Sequence, residues 1–361
     1  MARVEAAQVI EFIKKSHRDQ VRVLEQILSG EIDREALQQM ITQSKRDPKE
    51  RLARSLLRKA QTPVVAQLQY GDPSSGAFAQ IAAVYELLGE GDMADKITYR
   101  SGSAYQVYLE RIKALCEKND LERARKLVER IPGGYSEKCY AWIAIADKSQ
   151  LESDYAYLDS VINFHMRLAV AVSRAKKDGG GMLQKMRDET QKRMDHEYWD
   201  VLTAMAKEDA RRKYFSLSRS MIQKLHCQQE RQFEATFTLM NESKDPQDIA
   251  SYRDMIIQVY GAPTGEYTSG RYLICLGHIA AITGDEKDFV ACRQILQQQS
   301  LNSSAMNDGY STLALAYAKH GDIPAARDIA NKIVIPHIES ETLARMARIV
   351  LSPDWNPIAT V

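Results

Sequence analysis

Residues Tyr310 to Pro336 read YSTLALAYAKHGDIPAARDIANKIVIP, and this stretch decides the fold. Leu313, Ala314 and Tyr317 recur at helical spacing before Gly321-Asp322, and Ala326, Ile329 and Ile333 recur after it. Gly321 has no Cβ and can end the first helix in a left-handed conformation; the Asp322 carboxylate can cap the next helix. The stretch therefore predicts two helices joined by one turn. Small residues Ala314, Ala316, Ala325 and Ala326 let the pair approach closely. Such a hairpin cannot bury both of its faces alone, so it needs neighbours of the same kind.

Related phrases lie upstream. RIKALCEKNDLERARKLVERI turns at Asn119-Asp120, GHIAAITGDEKDFVACRQIL at Gly284-Asp285, and IAAVYELLGEGDMADKI at Gly91-Asp92. The steps between Asp92, Asp120, Asp285 and Asp322 are 28, 165 and 37 residues, and the long one holds five units of 33. Between Pro132 and Pro246 no proline occurs, and the glycines cluster at Gly133-Gly134 and Gly179-Gly180-Gly181, a pattern of helices separated by short turns. Alternating β-branched residues are scarce while Ala, Leu, Arg, Lys, Glu and Gln abound. The expected fold class is all-α: stacked antiparallel helical hairpins forming a curved solenoid over residues 63–361.

Residues 1–62 have another texture. Ala6, Val9, Ile10 and Ile13, then Val21, Leu24 and Leu28, are spaced for a helix that stops at Ser29-Gly30; a new start follows near Asp33 and another after Asp47-Pro48. Three short helices make a small N-terminal cap or bundle.

The Tyr310 copy resembles a tetratricopeptide repeat. Tyr310 stands at the first aromatic position, Leu313 and Ala314 at the Leu-Gly pair, Tyr317 at the Tyr, and Ala326 at the second-helix Ala, with Ala330 where a large aromatic is usual. Around Asp120, the residues Tyr108, Leu115, Ala124 and Val128 correspond, while Arg111 and Ile112 replace the Leu-Gly pair. The resemblance implies a non-catalytic scaffold or adaptor whose first helices line a concave surface for a peptide or protein segment. Carried onto the better copies, its groove-facing positions are Gln106, Lys113, Asp308 and Lys319.

Across 361 residues, 49 Lys and Arg nearly cancel 48 Asp and Glu, so no global field draws the chain to nucleic acid or membrane. The strongest local charge is in residues 45–59, where Arg51, Arg54 and Arg58 recur at i, i+3 and i+7 and offer one basic stripe. A second cluster, Arg211, Arg212 and Lys213 with Arg219 and Lys224, lies beside Tyr214 and Phe215, and basic residues interleaved with aromatics can hold RNA or DNA. Nucleic-acid binding by these helices is thus the alternative to protein binding. The ordinary use of such residues is a solvated face with arginine stems over apolar neighbours.

No zinc, P-loop or hydrolase motif is present, and no cofactor is expected. Enzymatic or secreted-effector activity would need a site assembled from distant helices. Cys275 with His278 and His226 with Cys227 are each read as a surface histidine beside a core thiol. The five cysteines, scattered and odd in number, are expected as buried thiols of a cytoplasmic protein. Glu5 and Glu11 do not suit a hydrophobic signal, although secretion without one stays open; no run approaches the roughly 20 apolar residues of a membrane span.

Overall fold

A computed structural model describes residues 47–67, 75–101, 104–132, 134–158, 163–192, 194–261, 266–298 and 304–355. Among them are eighteen α-helices and no strand. The N-terminal cap or bundle, except for its last helix, falls outside the described residues. That last helix, α1 (Pro48–Gln67), starts where Asp47-Pro48 predicts, with the Lys49 amide donating to Asp47 Oδ1 at 2.8 Å. The chain divides between Ser55 and Leu56, and every hairpin belongs to the second unit.

Each hairpin has a first and a second helix. In order they are α2 (Ser75–Leu87) with α3 (Gly91–Arg100), α4 (Ala104–Glu117) with α5 (Leu121–Glu129), and α6 (Tyr135–Ser149) with the short α7 (Glu152–Tyr155). Then come α8 (Phe164–Asp178) with α9 (Gly181–Gln191), α10 (His196–Arg211) with α11 (Phe215–Lys224), and α12 (Gln229–Ser243) with α13 (Pro246–Tyr260). The last are α14 (Glu266–Thr283) with α15 (Glu286–Gln298) and α16 (Ser304–Lys319) with α17 (Ile323–Ala330), followed by a lone first helix, α18 (Pro336–Leu351).

Positive φ marks every turn inside a hairpin: at Gly89, Asn119, Gln150, Gly179 with Gly180, Lys213, Lys244, Gly284 and Gly321. The interval from Asn119 to Gly284 thus contains four further turns and five hairpin steps. At Gly321, with φ of 83°, the Asp322 carboxylate accepts from the Ala325 amide at 3.0 Å, and Leu313, Ala314, Tyr317, Ala326, Ile329 and Ile333 are all buried. The turn expected at Gly91-Asp92 lies slightly earlier. Gly89 takes the left-handed conformation, and Gly91 is already the first residue of α3.

First helices pack side by side in chain order, α2 on α4 and so on to α12, then α14 on α16 on α18. Phe237 of α12 meets His278 of α14 with ring centroids 5.0 Å apart, which links the two runs. The lone α18 also packs on α2, so the ladder of first helices returns to its start. A repeat array otherwise leaves an apolar face bare at each end; here the two end faces cover each other. Arg348 of α18, 1% exposed, secures this contact. It donates to Gln80 at 3.1 Å, to Glu110 at 2.9 Å and to Glu117, and its guanidinium lies 4.4 Å from the centroid of Trp355. No described helix is long and apolar enough to cross a membrane.

Four of the five cysteines are buried as expected, but Cys227 is exposed, because it lies past the end of α11 beside the equally exposed His226. His278 is not a surface residue either. The face of α14 that carries it turns towards Phe237, leaving it 6% exposed.

Candidate partner-binding groove

Five consecutive first helices, α4 to α12, line a groove of about 920 Å³. Helix α8 contributes His165, Leu168, Ala169, Val172, Ser173 and Lys176, and α10 contributes Asp200, Thr203, Ala204, Lys207, Glu208 and Arg211. Both sets occupy i, i+3, i+4, i+7, i+8 and i+11, one face of an α-helix. The capping that begins these helices sets that register: Asn163 accepts from the His165 amide at 3.0 Å, and Asp195 from the Tyr198 amide at 3.3 Å. Ile143, Leu168, Ala169, Val172 and Ala204 supply apolar surface, and charged side chains stand among them.

Most of those charges are paired. Lys176 meets Asp147 at 2.8 Å, Lys207 meets Glu234 at 3.2 Å, and Arg231 meets Asp200 at 2.8 Å, each across neighbouring first helices. Lys113 meets Glu110 at 2.6 Å on its own helix. Glu208 differs. It is 3% exposed, and neither carboxylate oxygen accepts a hydrogen bond; Arg211 Nη1 stands 3.7 Å away. Burial pushes its carboxyl above the ordinary range, against the opposing charges of Arg211, Lys176 and Arg212.

No family model, curated protein or solved structure matches this chain.

Of the positions carried over from the repeat resemblance, Lys113 lines the groove. Gln106, exposed on the same helix, accepts a hydrogen bond from Ser75 instead. Asp308 and Lys319 lie on α16, outside the groove lining. Burial, aided by the charge of Lys244, lowers the Lys319 ammonium below its usual range.

The two basic clusters differ: the first keeps its helical spacing, with Arg51 and Arg58 exposed, whereas the second is largely engaged by neighbouring side chains. Arg51, Arg54 and Arg58 share α1. Arg211 points into the groove, Arg212 lies over Tyr214 at 4.9 Å, and Lys213 binds Glu242 of the next hairpin at 2.9 Å. Arg219 donates to Asp248 at 2.8 and 2.7 Å and to Asp245 at 3.1 Å. This second cluster ties hairpins together.

Apart from Arg211, the groove residues in α8, α10 and α12 escape sequence reasoning because their hairpins carry no Gly-Asp turn. Their signal was the shared six-position face of α8 and α10, which in α10 mixes charges of both signs and reads as a solvated surface.

Proposed function

We propose that this chain is a non-catalytic scaffold or adaptor of tetratricopeptide-like hairpins that holds a segment of a partner protein in the α4–α12 groove. The observation that carries this reading is the groove itself: successive first helices present an apolar strip between ordered ion pairs, long enough for several residues of an extended or helical segment. Preorganised side chains favour binding because little conformational freedom is lost when the partner arrives. An enzymatic reading has less to stand on, since the polar groups converging here are mostly paired ions. The nucleic-acid reading is weakened in the same way, because the Arg212, Lys213 and Arg219 cations are occupied by an aromatic ring and by acids. Four buried thiols and one exposed thiol, none in a disulfide, suit a reducing cytoplasm.

Partner capture from the native source tests the reading. A protein retained by the wild-type chain and by the Arg51→Glu, Arg54→Glu, Arg58→Glu variant is expected to be lost when Ala169→Trp fills the groove. Retention by the filled variant, or loss on charge reversal alone, places binding elsewhere.

A further inference from the structure

The geometry points to Glu208 as the recognition point for a basic side chain, arginine or lysine, of the segment that occupies the groove; the inference rests on the function proposed above. Four cations of the groove pair with other acids, Lys176 with Asp147, Lys207 with Glu234, Arg231 with Asp200 and Lys113 with Glu110, and Arg211 forms a loose ion pair with Glu208 itself at 3.7 Å. The buried charge left without a hydrogen bond in the groove is negative. Glu208 has two oxygens with no donor, and Arg211 at 3.7 Å is beyond hydrogen-bond distance.

Comparison with α8 shows that this is a property of the residue and not of the position. Ser173 occupies the same register on α8, is equally buried, and is bonded to Tyr155 Oη at 3.0 Å. A buried polar group without a partner is costly and needs an explanation in ligand, ion or strain. Glu208 also borders a second cavity of about 400 Å³ whose walls include Met205, Leu217 and Met221. Within the groove, Val172 and Ala204 offer apolar surface for the methylene stem of a lysine or arginine whose charged end meets the carboxylate. Arginine fits best, because a guanidinium can satisfy both oxygens at once.

The experiment is an immobilised array of dodecapeptides with varied apolar flanks and a central residue set to Arg, Lys, citrulline or Glu. It is probed with the full chain, with Glu208→Gln and with Ala169→Trp, and circular dichroism checks that each variant is folded. Arg-centred peptides are expected to exceed their citrulline counterparts by about tenfold or more on the wild type, and Glu208→Gln is expected to abolish that ratio. In the wild type the same ratio is expected to shrink as pH falls from 7 to 4, since protonation removes the charge that selects arginine. An undiminished Arg preference in Glu208→Gln, a ratio indifferent to pH, or a preference for Glu overturns the inference. If such a result comes with peptides that Ala169→Trp still abolishes, the groove reading survives alone. If the wild type retains no peptide, both fall.

Discussion

In hairpins α14–α17, first helices are brought together by side chains that are missing, whereas hairpins α10–α13 are tied by side chains that are charged. A Cβ at Gly270 would lie 2.5 Å from the Ala305 carbonyl carbon, and one at Gly277 would lie 2.9 Å from Thr312 Cγ2, so α14 and α16 approach backbone to backbone. Centrally, Arg219 of α11 reaches Asp248 at the start of α13, Ser243 donates to the same carboxylate at 2.6 Å, and the Asp245 amide donates to Ser243 Oγ at 3.2 Å. The wiring recurs. Arg125 and Ser149 hold Asp154, and Arg253 and Thr283 hold Asp288, with the hydroxyl always five residues before the acid. Close packing and an ionic clasp are thus two solutions to one need, fixing the angle between successive hairpins. The hairpin at Gly284 uses both.

The largest expected effect breaks the packed side. Gly270→Ala puts a methyl group against immovable backbone and is expected to destabilise by about 3 kcal/mol, within the range for overpacking, as a lower chemical-denaturation midpoint with unchanged slope. A variant as stable as the wild type would show that α14 and α16 can separate freely.

The clasp side is expected to yield next, with a pH signature. Asp248→Asn removes the charge that Arg219 faces while keeping the acid's shape, at a cost of about 2 kcal/mol near pH 7. Burial acts to raise the Asp248 carboxyl, but hydrogen bonds from Arg219 and Ser243 and the charge of Arg219 outweigh it and hold the group below its ordinary value of 3.8. A carboxyl lowered on folding stabilises the fold above its unfolded pKa, and that contribution is lost as pH falls through the folded value. The gap between the wild type and Asp248→Asn should therefore begin to narrow as pH falls below about 4 and close only below the folded value. Urea titrations at pH 7 and pH 3.5 measure this, and a gap that is independent of pH would remove the ionic account.

The smallest effect concerns the turns. Lys213 and Lys244 hold φ of 68° and 54°, a conformation that strains a residue with a Cβ. Lys244→Gly is expected to stabilise by up to about 1 kcal/mol, offset in part by the greater freedom of glycine in the unfolded chain. A loss of stability on thermal unfolding would mean that the lysine is needed for its charge.

This contrast also explains which hairpins could be read from the sequence. Tyr310 to Pro336 was transparent because glycine supplied the left-handed residue, aspartate the cap and alanines the close approach, all local requirements met by local residues. The turns at Gln150, Lys213 and Lys244 use residues without intrinsic preference for that conformation, so the repeat disappears from the sequence where the ionic clasps are densest. Arg111 shows the same thing at one position. It stands where the repeat pattern asks for a Leu, yet it is 2% exposed, and Glu86 on α2 accepts from it at 2.6 and 2.9 Å. The departure from the motif is compensated 25 residues away.

Period, capping and turn chemistry determined by themselves that this chain is all-α and built from hairpins, because each depends on residues within a turn or two of one another. Lys113 was within reach of the same reasoning. That the last first helix returns to the first, that Arg348 secures it from more than 230 residues away, and that Glu208 is left without a donor were decided only by tertiary structure. The reason is physical: burial and pairing of charge depend on which helices become neighbours, and no short-range pattern records the neighbour.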